Sequence, residues 1–156
     1  MQLRITLAIS LAIAFLGASA TLGAEAPPPA KQIIAVAEDP CIPDDITLCL
    51  HGGRFAARVQ WTLANGTTGM GHAVPLNDGS GTFWFFSQDN SEMLIKVVNA
   101  CTAPFEHYWV FYAATTDVGL SVTVADTAHS TAVIYGNNQG HAAAPVQDTQ
   151  AFDTCP

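Results

Sequence analysis

The sequence predicts an all-β protein, one antiparallel β-sandwich of immunoglobulin-like type with about seven strands. Three observations predict it. Short runs rich in Val, Phe, Tyr and Trp alternate apolar and polar residues with a period of two, as in "RFAARVQWTL" and "GLSVTVA". Gly-, Asn-, Asp- and Ser-rich turns separate those runs, as in "NGTTG", "NDGSG" and "SQDNS". No long window beyond the N-terminal leader keeps a helical repeat, so the sandwich is expected to form without helices.

The leader itself is residues 1–26. Arg4 precedes an apolar run from Ile5 to Leu16, and small residues follow at 18–20 and 24–26. That layout predicts a secretory signal peptide cleaved after Ala20 or Ala26. The run is short against the ~20 apolar residues that a membrane span needs. The expected destination is therefore secreted or extracellular, with the periplasm and the cell surface as variants, and no membrane contact after cleavage.

Residues 27–40, "PPPAKQIIAVAEDP", read as a Pro-rich linker with one short strand candidate, Ile33 to Ala37. The single domain is expected over 41–156. Its first clear strand places Phe55, Ala57, Val59, Trp61 and Leu63 on one face, with Arg54, Arg58, Gln60 and Thr62 on the other. "NGTTGMG" follows as a Gly-rich turn. "HAVPLN" is edge-like because Pro75 cannot donate to a ladder. "EMLIKVV" turns Met93, Ile95 and Val97 inward and Glu92, Leu94 and Lys96 outward. "HYWVFYA" places Tyr108, Val110 and Tyr112 opposite Trp109 and Phe111. A hairpin with Val118, Leu120, Val122 and Val124 inside turns at "DTAHS". The tail from Asn137 lacks a period and is expected to run irregularly.

Four cysteines, Cys41, Cys49, Cys101 and Cys155, in an exported chain predict two disulfides. Of the three pairings we favour Cys41–Cys49, which closes a Pro/Asp turn, and Cys101–Cys155, which ties the tail to the middle of the domain. No C-x-x-C knuckle supports zinc. The balance of 5 Lys+Arg against 13 Asp+Glu gives a net charge of −8, which repels phosphate backbones and argues against nucleic-acid partners.

Chemistry-bearing constellations are sparse. The five histidines, at 51, 72, 107, 129 and 141, form no H-x-x-x-H pair and are read as surface residues. Ser80 lacks the flanking Gly and following helix of a nucleophile elbow. Asp78 stands about 20 Å, one strand length, from Asp89 and Glu92, too far for an acid/base pair. Asp89, Asn90 and Glu92 offer oxygens to a Ca²⁺, without the twelve-residue loop pattern. Asn65-Gly66-Thr67 matches a glycosylation acceptor and equally a hairpin turn. No cofactor is implied, and no enzyme class is supported.

The segments "LCLHGGRFAARVQW", "GTFWFF", "EMLIKVV", "YWVF" and "VTVADT", in that order, resemble an uncharacterised family of exported bacterial β-sandwich domains. The resemblance covers roughly Cys41 to Tyr135. It implies a portable module after a signal peptide and carries over no active site.

The aromatic strands raise one question, because Phe83 and Phe85 point one way while Trp84 and Phe86 point the other. Trp84, Phe86, Trp109 and Phe111 are either covered or form a platform for sugar rings or a protein. We expect cover, supplied by the tail held over that face through Cys101–Cys155, with Val146 and Phe152 as its apolar contacts. The function expected from these readings is an exported, non-enzymatic module binding an extracellular protein or glycan. A structural or assembly subunit, with "IIAVA" as its donor strand, is the alternative, and an enzyme of unrecognised type comes third.

Overall fold

The computed structural model describes residues 30–37 and 39–156. The leader and the proline run of the linker lie outside the described residues. Eleven strands follow one another: β1 Ala30–Ala35, β2 Leu48–Leu50, β3 Phe55–Thr62, β4 Thr68–Met70, β5 His72–Asn77, β6 Ser80–Trp84, β7 Ser91–Ala100, β8 His107–Ala114, β9 Gly119–Asp126, β10 Thr131–Asn137 and β11 Val146–Phe152. They form two antiparallel sheets, ordered β1-β10-β9-β3-β2 and β11-β8-β7-β6-β5, with β4 alongside the far half of β3. The all-β sandwich holds, with more strands than the seven or so expected.

Alternation places the core. Phe55, Ala57 and Val59 of β3, Val122 and Val124 of β9, and Val133 and Tyr135 of β10 are buried from the first sheet. Phe83, Met93, Ile95, Val97, Tyr108, Val110 and Tyr112 meet them from the second. A period-two pattern buries one face of each sheet, and the two buried faces pack together. Trp61 lies at the end of this core and is only partly buried, its indole over Gly69, where a Cβ would collide with the ring.

Four expectations change. "NGTTGMG" is not all turn, since Thr68–Met70 pairs with β3 beyond the Asn65-Gly66 corner. The short strand near 33–37 runs over Ala30–Ala35 and pairs with β10 of its own chain. Glu92 does not face out. A register shift between Phe83 and Trp84 places Glu92 and Met93 side by side as buried residues, and the Glu92 carboxylate accepts from Asn90 Nδ2 at 2.6 Å.

The tail is the fourth change. Val146–Phe152 is a strand at the edge of the second sheet, beside β8, and its Val146 and Phe152 are buried in the core. Phe152 packs on Phe55 of the opposite sheet, ring centroids 5.3 Å apart. The irregularity that hid this strand is a bulge: the pairing skips between Asp148 and Phe152, which breaks the alternation of "VQDTQAF". The disulfides are Cys41–Cys49, with Cα atoms 5.7 Å apart, and Cys101–Cys155, at 5.4 Å. The second one anchors the end of β11 to the β7–β8 connection instead of holding a lid.

Candidate functional site

The outer face of the second sheet is built by the alternate residues that the core does not use. Its rows follow the strand register. One row runs Val74, Thr82, Leu94, Ala113 and the next Lys96, Phe111, Gln147, with Val98 and Trp109 beyond. Leu94 and Val74 are 48% and 39% exposed. Trp84, Trp109 and Phe111 are half-buried. β11 stands at the edge of this sheet, so the tail borders this face, with Pro145 and Gln147 beside Leu94 and Phe111, and does not lie across it as a lid.

Two aromatic groups stand on it. Trp109 sits between Phe105, edge-on at 5.1 Å, and Phe111 at 5.8 Å. The Lys96 ammonium lies 5.3 Å from the Phe111 ring, within cation–π range. A shallow cleft of about 350 Å³ opens beside Trp109, between Phe105 and His107 on one side and Thr149 and Gln150 of the β11 bulge on the other. The buried Trp109 indole N–H has no hydrogen-bond partner among the described residues.

The other group is Trp84 with His72, whose rings stack at 3.7 Å and 9°. His72 Nδ1 donates to Asp45 Oδ2 at 2.6 Å, which orients the imidazole over the indole. Strand spacings of ~4.8 Å and residue rises of ~3.4 Å put Trp84 on the order of 20 Å from Trp109. Phe86 belongs to neither group. It lies beyond the end of β6, 52% exposed, with its ring 5.1 Å from that of Trp61. The four residues singled out by the sequence therefore divide into a pair, Trp109 and Phe111, and two separate positions.

The titratable groups are engaged in structural bonds. Asp126 is fully buried where β9 ends. Its carboxylate accepts from Arg54 Nε at 3.2 Å, Arg54 Nη2 at 2.8 Å, and the Thr154 hydroxyl at 2.6 Å. Burial pushes the Asp126 pKa up, but the bonds from Arg54 and Thr154 outweigh it and hold the group below the ordinary carboxylate value. Arg54 also donates to the Tyr108 hydroxyl at 3.0 Å and to the Thr154 carbonyl, so the end of the chain is tied to the β2–β3 turn. Asp148 is buried in part, which raises its pKa. Bonds from Lys31 and Tyr135 reverse the sign, and the net shift is downward. Burial, reinforced by the Asp148 charge, raises the Tyr135 pKa well above the ordinary phenol value.

The histidines are not all surface residues. His51 is half-buried, edge-on to Phe55 and Tyr108, and its Nε2 donates to the Val97 carbonyl at 2.8 Å. Asp78 is a turn anchor, accepting Gly52 N–H at 2.7 Å. Among the described residues no group of three or more His, Cys, Asp or Glu side chains is placed to hold a metal ion.

Scans against protein-family models, curated proteins and solved structures find no match. What this chain offers for function must be read from its own surfaces. One feature had no sequence signal: a groove of about 650 Å³ on the outer face of the first sheet, floored by Ala56, Arg58, Thr123 and Ala125 and walled by Val36, Ala37 and the Asp39–Ile42 segment. Apart from Arg58, small residues at alternate positions make that floor, and small residues look like ordinary surface in a sequence. Asp126 did leave a signal, because it continues the inward series Val122, Val124 and so implies a buried partner.

Proposed function

We propose that this chain is an exported, non-enzymatic β-sandwich module that binds protein or carbohydrate at the cell exterior. The observation that carries the proposal is the solvent-accessible apolar surface across the outer face of the second sheet, where Trp109, Phe111, Leu94 and Val74 share one side. Sheet faces left to solvent ordinarily carry polar residues, and a contiguous apolar patch marks a contact surface. Trp109 and Phe111 supply ring area at low entropic cost, Lys96 adds a charge between Leu94 and Val98 beside Phe111, and Thr149 and Gln150 supply polar contacts at the margin. The two disulfides are compatible with an oxidising, extracellular compartment. The signal peptide, the bacterial origin and the immunoglobulin-like kinship, in the broad sense of a two-sheet antiparallel sandwich, belong to the same proposal.

The test is a screen of the mature protein against glycans and surface proteins, repeated with Leu94→Asp and Trp109→Ala. Leu94→Asp places a charge in the centre of the face at an exposed position, so it should leave folding intact and abolish capture of the partner. A partner that binds both variants as well as the parent would exclude this face. A second reading, an assembly subunit of a cell-surface structure, is favoured by a different observation, the open edge of β1.

A further inference from the structure

Each sheet of an open sandwich ends in strands whose unpaired N–H and C=O groups can recruit another chain, and natural edges are usually blunted. Most edges of this molecule are blunted by identifiable means. β5 carries Pro75 and a register shift beside it. β11 is bulged between Asp148 and Phe152. β2 and β4, which share one side of β3, have three residues each. β1 has none of these devices. Its pairing with β10 is unbroken from Ala30–Gly136 to Ala35–Thr131, and it contains no proline. Residues 31–35 are all exposed, with Ile33 at 66% and Ile34 at 40%. The strand's one charge does not guard the edge. Lys31 Nζ is drawn back to Asp148 at 2.7 Å and to the Gln150 carbonyl at 3.2 Å.

The backbone orientation of β1 follows from one hydrogen bond. Val36 N–H donates to Ser130 C=O at 2.9 Å, in register with the β1–β10 ladder. Antiparallel strands alternate residues bonded toward one neighbour with residues bonded toward the other. Gln32 and Ile34 therefore bond toward β10, and Lys31, Ile33 and Ala35 present both N–H and C=O outward.

We propose that this edge pairs with the same edge of a second copy, forming a two-fold symmetric dimer with one continuous sheet. A two-fold axis at Ile33 sets Ile33 opposite Ile33 and Lys31 opposite Ala35, so like charges do not face each other. Each outward N–H then meets an outward carbonyl, giving about six hydrogen bonds from three residue pairs. The isologous contact uses up the open edge of both copies. The blunted edges elsewhere stop further growth, so the assembly closes as a dimer and does not extend into a fibre. The contact is small and resembles strand addition, in which main-chain hydrogen bonds supply affinity. The association is weak and concentration-dependent.

Sedimentation equilibrium of the mature, disulfide-intact protein, from low micromolar to near-millimolar, tests this. The expected result is a mass rising toward twice the monomer value. Added salt should tighten the dimer by screening repulsion between two chains of charge −8. Ile33→Pro removes an outward N–H and no bond to β10, so it should weaken association roughly tenfold or more while leaving circular dichroism and melting unchanged. Ile33→Lys keeps the N–H but sets two charges side by side, and its lost dimer should return in part at high salt. A mass that stays monomeric throughout overturns the proposal. So does a dimer that Ile33→Pro leaves intact, the result expected if β1 is exchanged between copies onto β10.

Discussion

Trp61, Trp84 and Asp126 show how position along a strand decides what a side chain does. Trp61 continues the inward series of β3, and full burial would put the cost of Trp61→Ala at about 3–5 kcal/mol. It lies at the open end of the core and is only partly buried, so a smaller loss of about 2–3 kcal/mol in urea denaturation is expected. Trp84→Ala, on the outer face, should lower stability by no more than about 1 kcal/mol, since its main contact is the stacked His72. Asp126 is the opposite case. Asp126→Asn leaves Arg54 without its ionic partner and should destabilise by about 3 kcal/mol. The pH dependence follows the same residue. The folded pKa of Asp126 is lowered, so its stabilisation is present above the unfolded carboxylate pKa and is lost as pH falls through the folded value. Asp148 acts in the same direction. Stability should fall on acidification below about pH 4, and Asp126→Asn should flatten that slope in melting curves taken across the range.

β11 shows what the element scale adds. Single-Trp variants, keeping only Trp84 or only Trp109, should be open to acrylamide quenching in the oxidised protein, and reduction of Cys101–Cys155 should not increase it. A large increase on reduction would restore the covering tail. Phe152→Ala should cost about 3–5 kcal/mol, as for other aromatics removed from a packed interior. The strands with clean alternation, β3, β7, β8 and β9, were legible because one buried face imposes a period of two on each. β11 was not, because three of its residues stand where β8 has one, and within that bulge burial no longer alternates: Gln150 is exposed while the adjacent Ala151 and Phe152 are both buried. Of the outer face, Trp109, Phe111 and Leu94 could be placed by parity alone. The neighbours that complete it, His72 on Trp84 and Phe105 on Trp109, come from other segments, and contact between segments depends on register and loop path. Phe86 was misplaced for a related reason, since β6 stops at Trp84 and the alternation does not extend past it.

At the scale of the whole molecule, the proposed export carries its own prediction. Mass spectrometry of secreted material should find a chain starting after Ala20 or Ala26, and retention of Met1 would remove the signal-peptide reading. The sheet orders carry a further consequence. β5 to β8 pair with their sequence neighbours, a meander that can zip locally as the chain emerges. The first sheet cannot do this. Phe55 pairs with Asp126 and Thr62 with Gly119, so the seam between β3 and β9 closes around the entire meander. β10 then adds to β9 and β1 to β10, so most of that sheet waits on one late hairpin. Distant pairings carry a loop-closure cost before any contact repays it, which places such topologies among slow folders, in the millisecond-to-second range. A chain arriving N-terminus first thus holds the apolar side of its meander open until residues near 120–126 have crossed. During that interval Phe83, Ile95 and Val110 have no opposing sheet, and the nascent protein depends on holding factors of its compartment, or on speed, to avoid aggregation.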